Sequence, residues 1–85
     1  MPQISKFFGI IILMYFDEHN PPHFHANYGE YNAVISIKDF LVLEGKLPSR
    51  VLGLVIEWAS LHQAELLKDW NLLEKGLTPE KIKPL

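Results

Sequence analysis

The sequence predicts an α+β domain. It reads as a four-stranded antiparallel β-meander over residues 4–45, followed by two C-terminal helices, or one bent helix, packed on one face. Three observations carry this reading. Apolar residues run unbroken or alternate up to residue 44, then take helical spacing after Pro48. Short turn-forming stretches, each with Gly, Pro or Asp, separate the apolar runs of the first half. A length of 85 residues with 48% apolar content supplies one core and is too short for two domains, so residues 1–85 form a single domain.

The first strand is expected over residues 4–16, with a break or bulge at Gly9. It is apolar at nearly every position and so is expected to be covered on both faces. Asp17 to Pro22 is a turn, because Pro21 and Pro22 lack the amide protons a ladder needs. His23 to Tyr28 is the second strand. His23, His25 and Asn27 share one face, and Phe24, Ala26 and Tyr28 share the other. Gly29-Glu30 makes a tight hairpin to a third strand, Tyr31 to Ile37. Lys38-Asp39 turns the chain into a fourth strand, Phe40 to Glu44, closed by Gly45-Lys46.

The helical part covers residues 48–75. Pro48 suits a first helical position, where its missing amide proton would have no partner. Val51, Leu54, Val55, Trp58 and Ala59 form an apolar stripe that resumes at Leu66, Leu67, Trp70 and Leu73. One straight helix from 48 to 75 would be about 42 Å long, more than the ~25–30 Å width of a body this size. A break is therefore expected near 60–63, where Ser60 and Gln63 have the spacing of a capping box. Gly76 ends the second helix and Pro79 follows the stop. Residues 77–85 are a short tail. Trp58 and Trp70 are expected in the core, and Glu57, Glu65, Lys68 and Asp69 on a solvated helix face.

Composition removes several function classes. Cysteine is absent, which excludes disulfides and thiolate chemistry. Lys and Arg total 8 against 10 for Asp and Glu, a net charge of −2, which lacks the basic footprint of electrostatic nucleic-acid binding. The longest apolar run, Phe7 to Phe16, has ten residues, against ~20 for a membrane helix. Lys6 imitates the charged start of a signal peptide, but the run ends in Asp17-Glu18-His19 with no small-residue cleavage site. A cytoplasmic location is expected, with no membrane partner. There is no phosphate loop, no Gly-x-Ser-x-Gly and no His-Glu-x-x-His.

The residues that carry chemistry cluster at the turn. His19, His23 and His25 lie within seven positions, with Asp17 just upstream. On a strand, His23 and His25 project from one face ~6–7 Å apart and can converge on one metal ion. His19 or Asp17 would then complete a three-ligand site with an open position. His62 would join if the helices covered that face. The alternatives are a general acid–base pair or imidazoles hydrogen-bonded within a rigid turn. Arg50, the only arginine, would hold a phosphate if it pointed at the histidines. Tyr28 and Tyr31 flank the hairpin tip, where they either stack on a base or pair across strands.

Several segments together carry a family resemblance. They are Met1-Pro2-Gln3-Ile4-Ser5, Phe7-Phe8-Gly9-Ile10, the run from Met14 to Ala26, Leu47-Pro48-x-Arg50, Glu57-Trp58-Ala59-x-x-His62, Glu65-Leu66-x-x-x-Trp70 and Ile82-x-Pro84-Leu85. The sequence resembles domain-of-unknown-function family 4160, small prokaryotic proteins with no established activity. The resemblance places Asp17, His19, Asn20, Pro21, Pro22, His23 and His25 at hallmark positions, and likewise Arg50, Trp58, His62 and Trp70. It implies a partner, because family members are commonly encoded beside a small protein of unknown-function family 2442. Such pairs are often described as toxin–antitoxin-like.

The expected function is an interaction module that forms one half of such a pair. The alternatives are a ribonuclease-type toxin and a metal-dependent hydrolase. In the ribonuclease, His19, His23, His25 or His62 would supply acid and base and Arg50 or Lys46 the cation. In the hydrolase, His19, His23 and His25 would hold the ion. Asp17, Asn20 and Tyr28 are candidate binding residues. No cofactor is expected beyond a possible divalent transition metal. Homo-oligomerisation is possible, and RNA is a less favoured partner.

Overall fold

Phe8 and Gly9 both take positive φ, 49° and 77°. That pair folds the leading apolar run back on itself. A two-residue hairpin with positive φ at both central positions matches the right-handed twist of its strands. In the computed structural model, which describes residues 3–16 and 18–85, the run expected as one strand is therefore two. They are β1, Gln3–Phe7, and β2, Ile10–Leu13, paired antiparallel. The usual Asn or Asp of such a turn is replaced by a phenylalanine, which hid it within the apolar run. The Phe8 ring stands exposed at the tip, edge-on to Phe7.

Three more strands follow: β3, His23–Tyr28, β4, Tyr31–Ser36, and β5, Val42–Gly45. All neighbours are antiparallel and the order is β1-β2-β3-β4-β5, so the meander has five strands rather than four. Gly29-Glu30 forms the expected hairpin, with Tyr28 opposite Tyr31. The last two strands are shorter than expected, because Phe40 takes a φ of 58° and belongs to the turn. There its amide donates to the Ser36 carbonyl while the Ser36 amide donates to Leu41. Gly45 closes β5 at a φ of 73°, so near β4 that a Cβ would lie 2.1 Å from the Asn32 carbonyl oxygen.

One face of this sheet makes the core. Ile10, Ile12, Phe24, Ala26, Ala33 and Ile35 are buried there, as strand alternation requires. Helix α1, Ser49–Leu61, adds Val51, Val55, Trp58 and Ala59, and helix α2, Gln63–Glu74, adds Leu66, Trp70 and Leu73. The helical stripe is thus as expected except at Leu67, which is exposed. Pro48 sits one position before α1, and its carbonyl accepts from the Leu52 amide.

The chain breaks at His62, inside the expected window, but without a capping box. The Ser60 hydroxyl turns back to donate to the Glu57 carbonyl. The Gln63 amide instead donates to the carbonyls of Ile37 and Lys38 and ties the start of α2 to the β4–β5 turn. None of the helices is long and apolar enough to cross a membrane.

Residues beyond Gly76 run back over the sheet. The Ile82 amide donates to the Ile4 carbonyl on the outer edge of β1 at 2.7 Å, and Lys81 Nζ reaches the Gln3 carbonyl. Trp58 Nε1 donates to the Lys83 carbonyl, and Ile82 is buried. Asp69, expected on the solvated face, is buried instead. One of its oxygens accepts from the Glu80 amide at 2.9 Å, and the other faces no hydrogen-bond donor among the described residues.

Two predictions follow from this packing. Gly45→Ala combines a forbidden φ with a backbone clash and is expected to cost about 2–4 kcal/mol, read as a lower urea midpoint. Burial pushes the Asp69 carboxyl up from its ordinary range, against the hydrogen bond from the Glu80 amide. A raised folded pKa gives a penalty that is absent below the unfolded value, grows as pH rises from there and is full above the folded one. Asp69→Asn keeps an acceptor for the Glu80 amide and removes the charge. It is expected to stabilise the fold by about 1 kcal/mol near pH 8, an advantage that disappears in denaturation curves below about pH 3.5.

Candidate functional site

Alternation along β3 sends Phe24 and Ala26 into the core and His23 and His25 to the opposite face. His25 lies between Leu13 of β2 and Val34 of β4, and His23 lies opposite Ser36. The turn that delivers them carries a cis Asn20–Pro21 peptide. His23 Nδ1 is 2.8 Å from the Pro21 carbonyl oxygen. A carbonyl only accepts, so Nδ1 carries a proton and Nε2 is the ring nitrogen left to face the rest of the site.

That nitrogen faces Glu18. Its Oε1 is 3.5 Å from His23 Nε2 and 2.6 Å from His25 Nε2. Both imidazoles thus present Nε2 to one carboxylate oxygen. Aromatic neighbours fix the rings: Tyr15 packs edge-on to His25 at 4.7 Å between centroids, and Trp70 of α2 lies 5.0 Å from His23. A cleft of about 240 Å³ opens beside Glu18, lined also by Tyr15, Trp70, Leu73 and Glu74. Burial alone would raise the Glu18 carboxyl. The hydrogen bonds and charges of His25 and His23 outweigh it and hold the group below its ordinary range.

The other candidates are dispersed. His19 is exposed and stands outside the Glu18–His23–His25 group, so Glu18 takes the place expected for His19. A strand places only alternate side chains on one face, but in this irregular segment the fold decides which of two adjacent residues turns inward. Asp17 falls outside the described residues. Asn20 is exposed.

His62 lies on the core side, against the Trp58 ring and 2.6 Å from Glu65. It does not join the turn, because Trp58 packs on the Phe24 face of β3. Arg50 lies in the first turn of α1 beside a cleft lined by Phe8, Ile10, Tyr28, Val51 and Leu54. This is the hairpin end of β3, away from the histidines, so Arg50 and Tyr28 share a cleft that does not include the imidazoles. Tyr28 and Tyr31 form a cross-strand pair.

Glu18 and Tyr15 are the site residues that sequence reasoning missed. The available signal was a carboxylate separated from His23 only by a turn that Pro21 and Pro22 force to reverse. Trp70 was expected in the core, and it also reaches the site.

Residues 9–71 of the 85 match the family described as Domain of unknown function (DUF4160). The chain belongs to this family. The matched stretch of the DUF4160 domain contains Tyr15, Glu18, His23, His25 and Trp70, while Leu73 and Glu74 of the cleft lie just beyond it. Comparisons with curated proteins and with solved structures gave no match.

A lowered Glu18 pKa means that its contribution to stability is full above the ordinary carboxylate range. It is lost as pH falls through the depressed value. Glu18→Gln is therefore expected to lower stability by about 1 kcal/mol at neutral pH. The difference from wild type is expected to close in strongly acidic urea titrations.

Proposed function

We propose that this DUF4160 protein is an interaction module, one half of a toxin–antitoxin-like two-gene pair, and that it works in the cytoplasm by binding a partner protein through β5. The observation that carries this reading is the asymmetry of the two sheet edges. The edge at β1 is covered by the chain's own tail through the Ile82–Ile4 hydrogen bond. The edge at β5 has a strand neighbour on one side only, and all four of its residues are exposed. Leu41 is 60% exposed, Val42 39% and Leu43 43%, so apolar side chains accompany the unpaired backbone groups. Such an edge accepts an added strand, with main-chain hydrogen bonds for affinity and side chains for specificity.

The resemblance supplies the partner: a small protein of unknown-function family 2442, encoded alongside. A second copy of this chain is the competing occupant. The ribonuclease alternative is weaker, because it needs a cation at the histidines. Arg50 lies at the far end of β3, and Lys46 follows β5 beside Asn32, away from the turn.

Co-expression with the neighbouring gene product tests the reading by size-exclusion chromatography and calorimetry. A complex is expected with wild-type protein and a loss of at least about tenfold in affinity with Leu41→Lys/Leu43→Lys, since charge on an edge strand opposes pairing. A complex that the double substitution leaves intact would refute the β5 site. Self-association abolished by the same substitution would replace the partner with a second copy.

A further inference from the structure

We propose that Glu18, His23 and His25 form a binding site for one divalent transition-metal ion of the zinc type. The argument is independent of the β5 edge. One ligand atom from each of Glu18, His23 and His25 lies within 4.8 Å of the others. Two imidazoles and one carboxylate are a three-ligand set that leaves a fourth tetrahedral position open. Nitrogen donors without thiolate select zinc, cobalt, nickel or copper over magnesium or calcium.

The hydrogen bonding inside the cluster is what calls for a cation. The Pro21 carbonyl takes the Nδ1 proton of His23. Its Nε2 then faces a carboxylate oxygen 3.5 Å away, and the two atoms sit together only with a positive charge between them, either a proton on the imidazole or a metal ion. His25 contributes an N–H to the same oxygen at 2.6 Å. A metal ion replaces that proton and satisfies all three groups together.

The geometry is close to what binding needs. With bonds of about 2.05 Å, tetrahedral ligand atoms lie ~3.3 Å apart. The His23–Glu18 separation of 3.5 Å is already near this value, and the 2.6 Å His25–Glu18 contact has to open by under an ångström.

The surroundings have the features of a built site. The Nδ1–H bond to Pro21 orients His23 as a backbone carbonyl orients many metal-bound imidazoles. The strand fixes both histidines, and Trp70 and Tyr15 hold the ring planes. The cleft beside Glu18 gives the fourth position an exit to solvent. Water or a partner's side chain would take it.

Tag-free protein stripped with chelator and titrated with Co²⁺ and Zn²⁺ at neutral pH is the test. One ion per chain is expected, with the visible absorption of tetrahedral cobalt and a melting temperature raised by zinc. Glu18→Gln and His25→Ala, each shown to be folded by circular dichroism, are expected to weaken binding at least about a hundredfold. His19→Ala is expected to leave it unchanged. The proposal fails if folded wild type takes up neither ion, if Glu18→Gln binds as wild type does, or if His19→Ala abolishes binding. The last result would restore the ligand set of three histidines.

Discussion

The structure depends on the burial of one side chain, Trp58. Its ring lies 5.4 Å from Phe7 of β1 and 6.0 Å from Phe24 of β3, and His62 at the helix junction packs on it at 5.6 Å. Its indole N–H donates to Lys83 in the tail at 2.9 Å. A single residue of α1 thus joins the first strand, the central strand, the hinge between helices and the C-terminal segment. Pairing a buried indole N–H is favourable, and here the tail supplies the acceptor as it returns over the β1 edge. A chain without disulfides buries only about 60–65% of its unfolded surface at this size. A strap held by Trp58, Asp69 and Ile4 adds burial that the sheet and helices alone do not provide.

The same packing defines the histidine face. Once Phe24 and Ala26 are committed to the core, strand geometry leaves His23 and His25 no position but the opposite face. They are not left in open solvent. His23 is 8% exposed because Trp70 covers one side of it. Partial burial strengthens the pull of Glu18 on both rings. It also raises the cost of leaving any polar group of the cluster without a partner. Trp70 belongs to the core cluster and to the site, which couples the position of α2 to the orientation of His23.

Much of this was legible in the chain. The period change at Pro48, the Gly29-Glu30 hairpin and the two-face division of His23 to Tyr28 rest on local rules, which hold where neighbours in sequence decide the backbone, whereas the helix break near His62 followed from helix length against the width of the body and the capping box expected there is absent. The Phe8-Gly9 hairpin was hidden because turn chemistry was carried by φ rather than by the usual polar residue. Glu18 was overlooked for a different reason. The turn from Phe16 to Pro22 has no period, and without one the sequence does not say whether Glu18 or His19 turns inward. The burial of Asp69 depends on the tail, whose return to β1 is set by contacts up to 78 residues apart, between Lys81 and Gln3. Arg50 and the histidines looked combinable because sequence cannot tell one end of a strand from the other until its neighbours are placed.

The two edges of the sheet show where burial and function separate. Along β1, Ile4 and Phe7 are buried and the tail supplies the missing hydrogen-bond partner. Along β5, no residue is buried, yet Val42 and Leu43, and Leu41 just before them, are all apolar. Exposed apolar residues contribute little to folding, since their transfer from water is incomplete. A strand held for the core's sake would bury one of its faces. β5 is instead held by backbone contact with β4, close enough at Gly45 to exclude a side chain, while its apolar residues stay outside the core. Polar or charged residues at Leu41 and Leu43 would serve an isolated edge better. Apolar side chains on an uncovered edge are the feature on which the proposed partner surface rests.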